Sequence, residues 1–557
     1  MKKILLLIVV TIMLLPTTNL WGQQNLKTII SDEMKLRNKE LPGFIHANKH
    51  GLFTFDNNLA PSPESPLTDR VRHRFSFKTN EFNVRKYNTS FQETKLLEIE
   101  KEKRVFHIGP YLLNDEFIYI KEFYNKDSDQ QEFSLDHYDY ADLGKKKSTP
   151  IVNIDIERKK ELLSSEDLII SKSKKIIAFT YSSGEYEKKG EPEKSYIKVL
   201  NTDGKVIWSK KIDLKYTAKE FDVISKLVDE AGNFYTLAKI YDNEKKKEKK
   251  REDGQLLAAY QYAILKYDSL GNVTEKRLDL DGKFINSASV SLDEANNLLI
   301  SGLYSFKLNM NAGVFITKLN PKGEIIYAKQ KEFSSIEDVE LLKDVQKKDG
   351  ITDNCYFDYV IPRPDGSSLI VGEFRSLHIM SNYNSLTNSS LGNPTNSSLS
   401  TGTSSMNNMN NMNRYKPTYV YYFKHLITML VDKNGEITDL NLIPKLSLTT
   451  NMKDYTSYSV LDSDKGVYVF FNDDIDNFKS EGKRTKLISS YNDGLVAYAK
   501  ISEPNAKKQI ATKDTEDKLL IEPIISCKVD NKSMMFFAKK RVLLAKPSVK
   551  FFQIMVD

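Results

Sequence analysis

From about Arg74 onward, apolar and polar residues alternate in short runs broken by Asp, Asn and Gly. This is the period-two pattern of half-buried strands joined by tight turns. One hairpin pattern recurs as "YIKVLNTDGKVIWSKKI" (196–212), "AILKYDSLGNVTEKRLDL" (263–280), "VFITKLNPKGEIIYAKQ" (314–330) and "ITMLVDKNGEITDLNLI" (427–443). Gly204, Gly271, Gly323 and Gly435 stand where such turns demand positive φ. A second pattern lies between these copies: "ISKLVDEAGNFYTLAKIY" (224–241), "SVSLDEANNLLISGLYS" (289–305), "YVIPRPDGSSLIVGEF" (359–374) and "SVLDSDKGVYVFFND" (459–473). Its second strand is strongly apolar and often small, as suits a strand buried near a crowded centre.

Alternation of the two hairpins makes a four-stranded unit with a period of about 50–65 residues, the spacing of propeller blades. The expected fold is therefore all-β: a single β-propeller of four-stranded antiparallel blades. Inner hairpins begin near 105, 165, 220, 285, 355, 456 and 521, giving seven blades, with six and eight as neighbouring counts. "FNVRKYNTSFQETKLLEIE" (82–100) offers outer-type strands with no inner hairpin before them. It is expected to share one blade with the C-terminal "PSVKFFQIMV" (547–556) and so close the ring. Closure removes sheet edges that would otherwise seed aggregation. A pair of β-sandwiches is the alternative that the regular alternation disfavours.

The alternating "D-x-x-G-N-x-Y" and "K-x-D-x-x-G" hairpins resemble those of exported bacterial β-propeller repeat proteins, from about Arg74 to Asp557, without pointing to a specific characterised family. The resemblance implies the architecture and no particular activity. WD and GH signatures are missing, and with only Trp21 and Trp208 the tryptophan docking of quinone-dependent propellers is missing too.

The N-terminal residues change the picture of compartment. Lys2 and Lys3 precede the apolar "ILLLIVVTIMLL", and "PTTNLWG" leads to a cut after Gly22, so residues 1–22 read as a signal peptide. The "WGQQ" junction resembles export signals common in the Bacteroidota. Residues 23–75 are expected as an N-terminal extension, with "APSPESP" as a Pro/Ser linker, and 76–557 as the propeller. Composition adds little beyond this. Hydrophobic residues make up 40% of the chain, enough for a core, so wholesale disorder is excluded. The net charge of +7 falls to +5 (7 − 2) without Lys2 and Lys3. That excess is spread along the chain, which argues against nucleic acid as a partner. Cys355 and Cys527 form no framework, and both are expected free and buried because non-neighbouring blades hold them too far apart to bond.

Loop length carries the strongest functional signal. In an up-and-down blade the hairpin turns share one face, and the second-to-third-strand connections lie on the other. The turns are tight, whereas the connections at 181–195, 242–255, 375–417 and 472–486 are long. Long insertions on one face mark the interaction face of a repeat protein. Residues expected to meet a partner there are Tyr186, Lys188, Lys245, Lys249, Arg251, Asp474, Lys483 and Arg484. The insertion at about 376–415 is Asn/Ser/Thr-rich and too polar to order itself.

Candidate chemistry is sparse. Met406, Met409 and Met412 recur every third residue, and with His378 they are the candidate soft-metal ligands. His46 and His50 would face one way on a helix, as a zinc pair needs, although "LPGF" and "GLF" flank them poorly. Asp473, Asp474 and Asp476 cluster as hard oxygen donors, without the Gly spacing of a calcium loop. His107 and His137 read as packing or surface residues on strands. "DSL" at 268–270 resembles a short O-glycosylation acceptor, but Asp268 and Ser269 also suit an ordinary turn, and the turn is the safer reading. Nucleophile elbow, phosphate-loop and dinucleotide signatures are missing. No cofactor is expected. The chain therefore reads as an exported, non-enzymatic binding or scaffold protein of the cell envelope, periplasmic, outer-membrane-associated or secreted. It would meet a protein or glycan at its long-loop face and be monomeric outside a complex. The alternatives are a hydrolase or lyase at the central channel, and a structural component of an envelope complex.

Overall fold

The computed structural model describes residues 26–34, 42–56, 77–155, 166–182, 192–217, 219–242, 248–250, 256–306, 311–336, 354–380, 418–450, 455–478, 485–488, 494–502, 504, 506–511, 519–540 and 548–556. Their strands form eight antiparallel blades of four strands each, two of which gain a short fifth strand, Phe77–Thr79 in one and Ser447–Thr450 in the other. The innermost blade strands, numbered here as blades 1 to 8, are Pro42–Asn48, Val105–Leu112, Glu166–Ile170, Phe221–Val228, Phe284–Leu292, Asn354–Pro362, Tyr458–Ser463 and Leu519–Asp530. Blades 2 to 8 begin within a few residues of the positions read from the sequence.

The count of seven is corrected to eight, because Pro42–Asn48 and Gly51–Asp56 form an inner hairpin that the sequence reading assigned to an extension. Gly51–Asp56 pairs with Phe82–Tyr87, which pairs in turn with Glu93–Ile99, so the 82–100 strands complete blade 1. The Pro/Ser stretch at 60–66 thus falls inside a blade, between its second and third strands, and lies outside the described residues. A composition shift within one blade was read as a boundary before the first.

Ring closure joins the two ends, as expected, but with a different strand. Leu26–Ile30 is the outer strand of blade 8, in antiparallel register from Leu26↔Val556 to Ile30↔Phe552. Ser31 reinforces the seam: its backbone N–H donates to Phe551 O at 3.0 Å, and its side-chain oxygen accepts from Phe551 N–H at 2.9 Å.

The repeated turn sequences work through one side chain. Asp229 Oδ1 accepts the N–H groups of Ala231 (2.9 Å) and Asn233 (2.8 Å). Asp268 repeats this with Leu270 and Asn272, Asp293 with Ala295 and Asn297, and Asp432 with Asn434 and Glu436. Such Asx closure adds to the backbone hydrogen bonds of the same turns, as from Gly232 N–H to Asp229 O at 3.1 Å, and goes with one turn residue in the left-handed region. Gly232, Gly271 and Gly435 hold that place at φ +81°, +75° and +86°, and Asn296 holds it at +60°. "DSL" is such a turn, with Leu270 at its exposed tip.

Neighbouring blades pack face to face through apolar strand residues. Tyr235, Leu237 and Ile264 of blade 4 meet Phe284, Ile300 and Phe315 of blade 5 in one such layer. Toward the axis the inner strands bulge, as at Ile285/Ser287 and Tyr356/Tyr359, and small residues on the second strand make room. A Cβ on Gly302 would lie 2.0 Å from Ser287 O, and one on Gly372 would lie 2.7 Å from Tyr356 O.

Lysines staple successive blades on the turn face. Lys86 Nζ donates to Ala141 O of blade 2 at 2.7 Å, and Lys266 Nζ to Pro321 O of blade 5 at 2.8 Å. Lys147 reaches Asp203 O, Lys210 reaches Gly271 O, and Lys329 pairs with Glu436, each on the following blade's outer turn. Part of the evenly spread positive charge is thus committed to holding the ring together.

Candidate functional site

The two faces differ as loop lengths imply. On one, inner hairpins close through short turns at 49–50, 113–115, 229–233, 293–297 and 464–465. On the other, connections leave at Ser182, Tyr241, Met380 and Asp474 and return at Pro192, Tyr260, Thr418 and Gly494. Part of the second connection forms a ribbon, Glu248–Lys250 paired with Leu256–Ala258. Asp242 N–H donates to Ala259 O at 2.9 Å, extending the ladder from blade 4 toward that ribbon.

A cavity of about 470 Å³ occupies the axis, lined by inner strands of blades 1 to 6. Its ionised groups include Asp167 and Lys226, which pair at 3.4 Å across blades 3 and 4, Lys226 also donating to Thr180 Oγ1 at 3.0 Å. Asp358 also lines it, but its carboxylate faces away into a buried network. Arg375 Nη1 and Nη2 donate to the two Asp358 oxygens at 3.2 and 2.5 Å, and Arg375 Nε donates to Glu373 at 2.7 Å. Lys445 Nζ and Ser457 Oγ donate to Glu373 at 2.6 and 3.0 Å, while Tyr458 OH donates to Asp358 at 3.0 Å. The four charged side chains are at most 1% exposed and sum to zero charge. Burial works against both cations: it pushes Lys445 down, whereas Asp358 and Glu373 outweigh it at Arg375 and push that pKa up. This network fixes the strand Ser368–Met380 from which the longest connection departs.

A second polar-aromatic group stands at the foot of the ribbon. Lys239 Nζ lies 3.7 Å from the Tyr260 ring centre, 5.2 Å from Tyr241 and 5.9 Å from Tyr262. Tyr241 OH donates to Asp222 at 3.0 Å, and Tyr260 OH to Ile285 O of blade 5 at 3.1 Å. Beside them, at the blade 4–5 boundary, opens a recess of about 120 Å³ lined by Tyr260, Gln261, Tyr262, Asp279 and Lys283 among others. Lys283 Nζ sits 5.1 Å from Tyr304 and 5.7 Å from Phe306, and donates to Gln330 at 2.6 Å. Phe306 is 56% exposed. Sequence reading passed over this group because its members come from six separated segments. The only available signal was the repeated aromatics where strands meet the long-loop face, as in "AAYQY" and "LYSF".

The residues singled out from sequence fare unevenly. Tyr186, Lys188, Lys245, Arg251, Lys483, Arg484, Met406, Met409 and Met412 lie outside the described residues, as does the 381–415 part of the insertion. Lys249 lies on the ribbon opposite Leu257. His378 stands in a strand opposite Val420, before the insertion. At the other end of the insertion His425 is buried, its Nδ1 accepting Lys445 N–H at 3.3 Å. Asp474, expected on a partner-facing loop, is 8% exposed and accepts Asp476 N–H at 2.8 Å, ending its strand. Asp473 is fully buried, with Lys508 at 2.6 Å and Asn477 at 2.7 Å, so the aspartates diverge and do not converge on a cation. His46 and His50 share no helix: His46 is on a strand opposite Phe53, and His50 follows in the turn. The poor helical flanks read from the sequence agree with this, since alternation in "GFIHAN" and "GLFTFD" wins over the i, i+4 spacing. Among the described residues, no three His, Cys, Asp or Glu side chains group as metal ligands. His107 and His137 are buried, as packing residues, with His137 Nδ1 2.8 Å from Glu116. Cys355 and Cys527 are free and buried, as expected.

No protein-family model matches the chain, and no curated protein matches it. Among solved structures, it is similar to a protein of unknown function from Bacteroides caccae, 9% identical, over 66% of this chain and 92% of that one, with a TM-score of 0.26. It is similar to the WD40 domain of SCAP from fission yeast, 9% identical, over 96% and 94%, at a TM-score of 0.35. It is also similar to an endo-arabinase from Bacteroides thetaiotaomicron, 14% identical, over 55% and 97%, at a TM-score of 0.21.

Proposed function

We propose that the chain is an exported, non-enzymatic propeller of the cell envelope that binds a protein or glycan through its long-connection face. One observation carries this reading. Short turns and lysine staples occupy one face, while the connections leaving Ser182, Tyr241, Met380 and Asp474 all emerge on the other. Lengthening a surface loop costs only about 0.6 kcal/mol per doubling, so stability alone does not set this asymmetry. Export rests on the signal-like residues 1–22, and no helix among the described residues is long and apolar enough to cross a membrane.

The axial cavity favours a second reading, a hydrolase or lyase acting at the central channel. General acid–base work needs a proton-transferring group within reach of substrate. Asp167 is paired with Lys226, and Asp358 is engaged by Arg375 and Tyr458. Binding is therefore the preferred role.

Shortening 243–258 and 381–417 to Gly/Ser linkers, singly and together, tests the preferred reading. Capture of envelope components by the immobilised chain should fall by at least about tenfold in the double variant, a loss of ~1.4 kcal/mol. Undiminished capture with both connections shortened would sink it.

A further inference from the structure

We infer that the axial cavity binds a short apolar peptide in extended conformation, hydrogen-bonded to the inner edges of the blades. This goes beyond the long-connection-face reading and does not depend on it. Leu112 and Ile170 end their strands, and Leu227 and Ser291 stand next to last in theirs. Lys174 lies in the turn that follows Ile170, so the cavity reaches the short-turn end of the axis.

Three features select the occupant. The first is an array of backbone groups. Ser171, Asp229, Asp293 and Arg363 each donate their N–H across an inner hairpin, to the carbonyls of Ile176, Asn233, Asn297 and Ser367. Antiparallel bonding alternates from there, so Leu168, Ile170, Lys226, Val290 and Val360 turn their N–H and C=O toward the axis. All five line the cavity, and among the described residues no further strand pairs with the inner edges of blades 3 to 6. The chain itself shows what such an edge accepts. In blade 2, Phe77–Thr79 adds to the axial edge of Val105–Leu112, from Phe77↔Gly109 to Thr79↔His107, and the cavity wall begins at the next residue, Pro110. Free edges take extended peptides in this way, main-chain bonds supplying affinity and flanking side chains selectivity. The second feature is the wall, which is mainly apolar, with Leu112, Leu168, Ile170, Leu227 and Val360 among its members. Its volume of about 470 Å³ is that of a small-ligand site, enough for a few residues. The third is the pair Asp167 and Lys226, whose side chains are 25% and 21% exposed. Lys226 Nζ donates to Thr180 Oγ1 and Asp167 Oδ2, which leaves one ammonium proton and Asp167 Oδ1 without partners among the described residues. One residue of an extended chain presents its N–H and C=O to the same side, matching this acceptor and donor. A glycan would set hydroxyls against aliphatic walls, and a lipid tail would leave the axial backbone groups unpaired.

Isothermal titration calorimetry of the full chain tests this, with acetylated and amidated pentapeptides carrying valine, leucine or phenylalanine at alternate positions and serine between. Saturable binding of at least one is expected. Its copy N-methylated along the whole backbone keeps the side chains but loses the N–H donors, and should bind at least about tenfold more weakly. Hydrogen exchange of the unaltered chain should slow within 166–170 and 221–228 when the binding peptide is added. Asp167→Ala combined with Lys226→Met removes both groups, keeps the charge balance and should weaken binding roughly tenfold, with an unchanged melting curve as the check on folding. Binding of no peptide, equal binding of the N-methylated copy, or exchange slowed only outside the inner strands would each overturn the assignment. Full affinity in the folded double variant would overturn it as well.

Discussion

Glu373 accepts from Arg375, Lys445 and Ser457 inside a network shut off from water. Glu373→Gln keeps the shape and removes one negative charge, leaving two buried cations facing the single carboxylate of Asp358. Breaking a buried pair in this way costs about 3–5 kcal/mol, because the stranded charge can neither rehydrate nor find a partner. For a 557-residue chain, unfolding entropy is about 1.2 kcal/mol/K, so Tm should fall by about 3–4 °C. Scanning calorimetry would read the shift, with urea midpoints as a second measure. Lys445→Met in the Glu373→Gln background restores charge balance and should recover at least about 2 kcal/mol. Burial already holds the Lys445 ammonium below its ordinary range. The unfolded chain therefore binds more protons than the native one at alkaline pH below about 10, so Glu373→Gln should regain stability as pH rises there. A Tm within 1 °C of the parent, or a double variant no more stable than the single one, would refute the reasoning.

Other expectations follow from the same geometry. Gly302→Ala places a methyl 2.0 Å from Ser287 O and should cost about 2–4 kcal/mol by urea unfolding, whereas Gly323→Ala, with φ +85° and nothing within 4 Å, should cost about 1 kcal/mol. Burial lowers the His107 pKa to about 4, so the unfolded chain takes up the proton first as pH falls below 6.5. His107 should therefore forfeit about 3 kcal/mol between pH 6.5 and 4, and His107→Phe should flatten that part of the stability–pH curve. Cys355 and Cys527 are buried thiols, so a maleimide should modify neither in the native chain and both in urea; rapid native labelling would contradict their placement.

What the sequence determined is local. Alternation in "YIKVL" or "AILKY", an Asx residue and a turn glycine specify a hairpin wherever they stand, because strand pleat and positive φ depend only on neighbouring residues. Seven of the eight inner hairpins were legible for that reason, and so was the disparity between the faces, since loop length is a property of the chain. The eighth was not, because Phe44, Phe53 and Phe55 alternate as strands do, but the Pro/Ser stretch at 60–66 severs them from their partners at 82–99. Only the tertiary structure decided which strand closes the ring, since Leu26–Ile30 and Ser548–Val556 lie at opposite ends of the chain and their register is set by packing around the axis. It alone revealed that Asp358, Glu373, Arg375 and Lys445 neutralise one another, and that Tyr260, Gln261 and Asp279 line one recess. Charge compensation and a shared recess are properties of groups brought together in space, and linear spacing does not encode them when the members arrive on different strands.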